Sequence, residues 1–155
     1  MPIPVKLSEI ILGIESQSDE IHSYLNIITG EVVTVSDEGF SAANSNEPLE
    51  NFPEWQRENI ELAREILESD DYLQLPDEFE INEYRMLEKF CLSINDEELR
   101  ERMYYSIKGS GAFRRFKENI RKYGIEDDWY RFRDAKIKEV AMEWCEYHKV
   151  SYIDQ

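Results

Sequence analysis

The sequence predicts an α+β fold in which an N-terminal helix and a β-hairpin pack on a mainly helical bundle. Residues 21–35 hold two runs rich in β-branched side chains around Thr29-Gly30, the pattern of two strands and a tight turn. From Pro53 onward, apolar side chains instead recur with the period of about 3.6 residues that marks helices. A length of 155 residues with 41% hydrophobic side chains suits a single domain, 1–155, made of a helix plus hairpin (1–36), a loop (37–50) and a helical part (51–150).

Ser8 is placed to cap a short helix showing Ile10, Ile11 and Ile14 on one face, which ends before the polar run 16–20. Ile21 to Ile28 and Glu31 to Val35 are the hairpin strands, with Gly30 free to take the positive φ of the turn. Asp37 to Glu50 is rich in Ser, Asn, Gly and Pro without hydrophobic periodicity, and is expected to be a mobile loop. Pro53 suits the first turn of a helix reaching Ser69, whose Trp55, Asn59, Leu62, Ala63, Ile66 and Leu67 fall along one stripe. An extended piece, Tyr72 to Leu75, stops at Pro76 ahead of the acidic run 77–80.

Asn82 can cap a helix with Tyr84, Leu87, Cys91 and Ile94 on one face. Asn95 with Glu98 reads as a capping box for the next, which buries Leu99, Met103 and Ile107. Gly109-Ser110-Gly111 breaks the chain before a helix carrying Phe113, Phe116, Ile120 and Tyr123, with Phe113 and Phe116 expected in the core and a stop at Gly124. Asp127 and Asp128 open the last helix, which runs to His148 with Ile137, Val140, Ala141, Trp144, Cys145 and His148 along its inner stripe.

Charge is unevenly distributed along the chain. The net charge is -16, and residues 1–80 carry all of it, with 19 acidic and 3 basic side chains, while residues 81–155 hold 15 of each. Within that second half, residues 108–122 carry a local +5. No apolar stretch approaches the roughly 20 residues of a membrane span, so no membrane partner is expected. The N-terminal residues lack the features of a secretory or transit segment, so a cytoplasmic location is expected. Cys91 and Cys145 sit in helical patterns and are expected to be reduced core residues, a single disulfide being the alternative.

Two stretches go beyond generic pattern: Leu75-Pro-Asp-Glu-Phe-Glu-Ile-Asn-Glu-Tyr-Arg-Met-Leu-Glu-Lys-Phe-Cys91, and Gly111-Ala-Phe-Arg-Arg-Phe-Lys117 followed by Tyr123-Gly-Ile-Glu-Asp-Asp-Trp-Tyr-Arg-Phe-Arg-Asp134 and Glu143-Trp-Cys145. With the Tyr24–Val35 hairpin, they resemble a bacterial group known as uncharacterised protein family number 158, over residues 5–148 with 37–50 unmatched. The resemblance implies an intracellular bacterial or phage-borne protein. It brings no activity, cofactor or catalytic residues with it.

The candidate binding residues are the cations Lys108, Arg114, Arg115, Lys117, Arg121, Lys122, Arg131 and Arg133. They alternate with Phe113, Phe116, Trp129, Tyr130 and Phe132, a mixture that can pair phosphates and stack bases, and the Gly-rich helix start offers free N–H donors. Amphipathic packing, with some of these arginines neutralising the acidic half, accounts for the same residues. No strand precedes the glycines and no Lys-Ser/Thr ending follows, so neither nucleotide fingerprint is satisfied. On the acidic side Glu54, Glu58, Glu61 and Glu65 lie along one helix and can steer a basic partner.

Catalytic and metal sites are not expected, and no cofactor is. His22 and His148 lie far apart, and Cys145 with His148 supplies at most two of the four ligands of a structural zinc. Glu126, Asp127 and Asp128 are explained by their place at a helix start. The expected function is therefore a non-enzymatic intracellular interaction or regulatory module whose partner is a protein, contacting a phosphate-bearing surface through the basic helix pair. Any nucleic-acid contact is expected to be weak against the net charge. The alternatives are an acidic inhibitor or immunity-type protein bound to a basic surface, and a metal- or partner-dependent enzyme.

Overall fold

The computed structural model describes residues 4–77 and 81–155; the acidic residues at 78–80, expected to precede the Asn82-capped helix, lie outside them. The fold class is α+β, and the chain divides into two units, Met1–Glu78 with Val140–Gln155, and Phe79–Glu139.

The first unit opens with the two-residue strand β1 (Val5–Lys6), which pairs in parallel with a C-terminal strand at Tyr152–Ile153. Helix α1 (Leu7–Glu15) follows directly, so its start is set by β1. Ser8 lies inside the first turn, where its N–H reaches the Gln155 carbonyl at 2.9 Å, and Lys6 holds the cap position without a side-chain bond. The hairpin forms as β2 (Ile21–Asn26) and β3 (Val32–Ser36) with Tyr24 opposite Val33, and Gly30 turns the chain at φ 78°. Asn26 Oδ1 accepts from the N–H groups of Ile28 and Thr29, fixing the turn from its first residue.

The expected loop at 37–50 contains a helix, α2 (Asp37–Asn44). Ser36 caps it by accepting the Gly39 N–H at 3.0 Å, and Asp37 and Glu38 sit in its first turn against the helix dipole. Its core face is only Gly39 and Ala43, too short an apolar signal to show a period. Helix α3 (Glu54–Glu68) then packs on it, and Val35, Ala43, Ile60 and Ala63 form a buried cluster flanked by Phe40, Leu49, Phe52, Leu62 and Ile66. The α3 stripe read from the sequence is only partly inside: Trp55 is 78% exposed and Leu67 51%. The extended piece becomes β4 (Tyr72–Gln74), which pairs antiparallel with β2 and completes a three-stranded sheet in the order β3-β2-β4.

In the second unit, α4 (Glu83–Leu92) is capped by Asn82, whose side chain accepts the Arg85 N–H at 3.2 Å. Helix α5 (Glu97–Ser106) is capped one residue later than expected, by Asp96 accepting the Leu99 N–H, which leaves Glu97 and Glu98 in the first turn. Met103 and Ile107 are fully buried and Leu99 half-buried. Helix α6 (Ala112–Lys122) starts after Gly111 at φ 79° and stops before Gly124 at φ 69°. Helix α7 (Glu126–Tyr147) begins here, and its residues from Val140 belong to the first unit.

Phe90, Phe116 and Trp129 form the aromatic centre of the second unit, with ring centroids 4.8 to 6.0 Å apart in edge-on pairs. Such pairs add about 0.5–1.5 kcal/mol each beyond their area. Phe113 does not join them; it is 44% exposed and, among the described aromatic groups, meets only the Tyr84 ring, edge-on. At the far end of α7 His148 is likewise exposed rather than inside, with its ring 4.9 Å from that of Trp144. No helix among the described residues is long and apolar enough to cross a membrane.

Candidate functional site

The eight cations chosen from the sequence separate into distinct roles. Arg115 is half-buried and spends its guanidinium on backbone, donating to the carbonyls of Ser106 (2.6 Å), Ser110 (2.6 Å) and Lys108 (2.7 Å). It holds the turn between α5 and α6 closed and has little left for an external anion. Arg121 pairs with Glu126 (3.2 Å), Arg131 with Asp128 (3.6 Å) and Arg133 with Glu83 (3.2 Å). The described partners, Glu126, Asp128 and Glu83, all belong to the second half of the chain. Lys108 lies 3.8 Å from the Tyr104 ring centroid, and its hydrogen bond with Tyr104 raises its pKa. Lys122 sits 5.4 Å over Tyr123. Arg114 and Lys117 are exposed on one face of α6 and make no ion pair among the described residues.

The acidic side is more uniform. Glu54, Glu58, Glu61 and Glu65 are all exposed on α3, and Glu68 continues their line. Their spacing places them on one edge of the helix over about 21 Å. Like charges three and four positions apart destabilise a helix by about 0.2–0.5 kcal/mol per pair. No ion pair among the described residues offsets this; Glu65 has a hydrogen bond with Tyr72, whose own hydroxyl pKa is raised chiefly by burial. The two arginines of the helix are turned to backbone, Arg57 to the Phe52 carbonyl and Arg64 to that of Glu47.

On a different face of α3 from this row, within the first unit, α2, α3 and the β2–β3 hairpin enclose a cleft of about 330 Å³. Ile21, Ala42 and Ile60 supply apolar wall, Trp55 an indole, and Glu38 its one charged group among the described residues. The uncharged polar lining is Thr34, Ser36, Gln56 and Asn59, of which Ser36 and Asn59 satisfy each other. Asn59 Oδ1 accepts from the Ser36 Oγ (3.0 Å) and N–H (3.3 Å), and its Nδ2 donates to the Thr34 carbonyl (3.3 Å). Nearby, His22 Nε2 lies 2.7 Å from Asp37 Oδ1. Sequence reading missed the cleft because it placed Trp55 on a packing stripe and Glu38 in a loop.

The remaining candidates stay apart. Among the described residues, no three His, Cys, Asp or Glu side chains are grouped so as to hold a metal. Asp127 and Asp128 are exposed in the first turn of α7, where the helix dipole accounts for them. Cys91 and Cys145 are buried free thiols, each pushed up to about 11, chiefly by burial.

No curated protein and no solved structure matches the chain. A family model described as Uncharacterised protein family (UPF0158) matches residues 1–155, including the 37–50 segment that the motif resemblance left out, and the chain belongs to that family.

Proposed function

We propose that the chain is a non-enzymatic binding module whose acidic α3 edge receives a basic protein surface. The observation that carries this is the row Glu54, Glu58, Glu61 and Glu65, exposed and free of ion pairs among the described residues although its mutual repulsion costs the helix stability. A field of one sign raises the association rate of an oppositely charged partner and suppresses wrong ones. Free, buried thiols fit the reducing cytoplasm, and the same acidic surface would suit an inhibitor or immunity-type role.

The test is binding of a fluorescein-labelled deca-lysine peptide at low salt, followed by anisotropy. Glu58→Lys with Glu61→Lys should weaken it well beyond Glu97→Lys with Glu101→Lys, which changes net charge equally on exposed positions of α5. Equal losses from both pairs reject the α3 edge as the contact.

A second reading keeps the phosphate-bearing partner and rests on Arg114 and Lys117, exposed on α6 and without an ion pair among the described residues. Arg114→Ala with Lys117→Ala should then lower affinity for a short duplex, whose log K falls with log salt by about 0.9 per phosphate neutralised. Unchanged binding at low salt rejects this reading.

A further inference from the structure

We infer that the cleft between α2, α3 and the hairpin is a subsite for an arginine side chain of a basic protein partner. The inference deepens the acidic-edge reading and rests on it for the partner's charge. An indole that is 78% exposed keeps most of its apolar surface in water, and Trp55 does so at a concavity rather than on a flat face. A volume of about 330 Å³ falls at the lower end of the roughly 300–1,000 Å³ typical of ligand pockets, room for one long side chain and the backbone that carries it.

The lining specifies the chemistry of the occupant. Ser36 and Asn59 already use their hydrogen bonds on each other, on Thr34 and on Gly39, which leaves Gln56 and the Thr34 hydroxyl as the uncharged polar groups open to a guest. The one charged side chain in the lining is Glu38, exposed and without an ion pair among the described residues, which calls for a cation. Ile21, Ala42 and Ile60 suit the methylene stem of a long basic side chain. A guanidinium fits better than an ammonium, because it is planar and weakly hydrated, stacks on an indole face, and meets a carboxylate with two parallel N–H donors.

Labelled deca-arginine and deca-lysine peptides test this, with anisotropy and tryptophan fluorescence read together. Trp129 and Trp144 are only 6% and 7% exposed, so the red edge of the emission reports Trp55. Deca-arginine should bind more tightly than deca-lysine and shift or quench that emission. Trp55→Ala should weaken deca-arginine about two- to thirty-fold and abolish its advantage over deca-lysine. Glu38→Gln, an exposed conservative change, should weaken it in the same direction while leaving the fold intact. If Trp55→Ala and Glu38→Gln bind both peptides as the wild type does while Glu58→Lys with Glu61→Lys weakens them, the cleft inference fails and the acidic edge stands. If Trp55→Ala removes the arginine preference while the edge reversals do nothing, the cleft stands and the edge reading fails. Binding of neither peptide at low salt overturns both.

Discussion

Arg115 Nε donates to the Ser106 carbonyl at 2.6 Å, across the turn that separates α5 from α6. Ser106 is the last residue of α5, where carbonyls lack intrahelical partners, so the arginine acts as a side-chain cap for a helix nine positions upstream. Two further carbonyls, of Ser110 and Lys108, share the same guanidinium. Arg115→Ala should therefore destabilise the protein by about 2–3 kcal/mol, since charge-assisted bonds contribute about 1.5–3 kcal/mol each and these are partly screened by solvent. Its neighbour Arg114→Ala should change stability by no more than about 0.5 kcal/mol. Urea unfolding of both variants checks this, and equal effects would show that the turn does not depend on the clamp.

Gly39 is buried in the first turn of α2, and a β-carbon there would overlap Asn59 Oδ1, the atom that accepts from Ser36. Its φ is not in the left-handed region, so the constraint is space alone. Gly39→Ala should cost about 1–3 kcal/mol through this overpacking, in spite of the better helix propensity of alanine. If thermal unfolding shows stabilisation instead, Asn59 has a second position available, and the polar wall of the cleft is adaptable.

Ser23 carries a hydroxyl that is fully buried and has no hydrogen-bond partner. Its backbone is engaged on both sides, the N–H to Gln17 Oε1 at 3.0 Å and the carbonyl from the Leu75 N–H at 3.0 Å. Replacing an unsatisfied buried hydroxyl removes its desolvation penalty without touching the strand. Ser23→Ala is expected to leave stability unchanged or raise it by up to about 1 kcal/mol, read from the urea midpoint at constant slope. A loss of more than about 1 kcal/mol would mean that the hydroxyl is bound in solution.

What the sequence disclosed depended on how local the signal was. Thr29-Gly30 between β-branched runs and the Asn82 cap are set by neighbouring residues, and both appear as expected. The pairing of β1 with the C-terminal strand Tyr152–Ile153 joins Val5 to Tyr152 through two-residue strands, too short for any period to show. Helix α2 was hidden because a glycine and an alanine form its buried face, so packing against α3 rather than propensity makes it a helix. The candidate site was legible as charge but not as role. Composition identifies Arg114 and Arg115 as the same kind of residue, and only the path of the turn turns one outward and the other onto three carbonyls. Trp55 follows the same logic in reverse: its spacing assigns it to the packing stripe, while the helix it belongs to leaves it at the mouth of a cleft.

Burial raises the thiols of Cys91 and Cys145 from an ordinary value of 9.0 to about 11, so the folded protein holds these two protons more tightly than the unfolded chain does. The resulting stability is whole below about pH 9, where both states are protonated, and is lost as pH rises from there through about 11. In that window the unfolded chain has released protons that the folded one retains, and ΔG of unfolding must fall. The full loss is at most about 2–3 kcal/mol per thiol. Tyr24 and Tyr72 are also raised, but from 10.0, so the onset near pH 9 belongs to the cysteines. Urea unfolding at successive pH values should show the decline, and Cys91→Ala with Cys145→Ala should flatten its first part while lowering stability overall by creating cavities. Labelling with a thiol reagent at neutral pH gives the independent check: both cysteines should react only at the rate at which the protein opens. Rapid labelling of either in the native state would place that thiol at the surface and remove the basis for the alkaline decline.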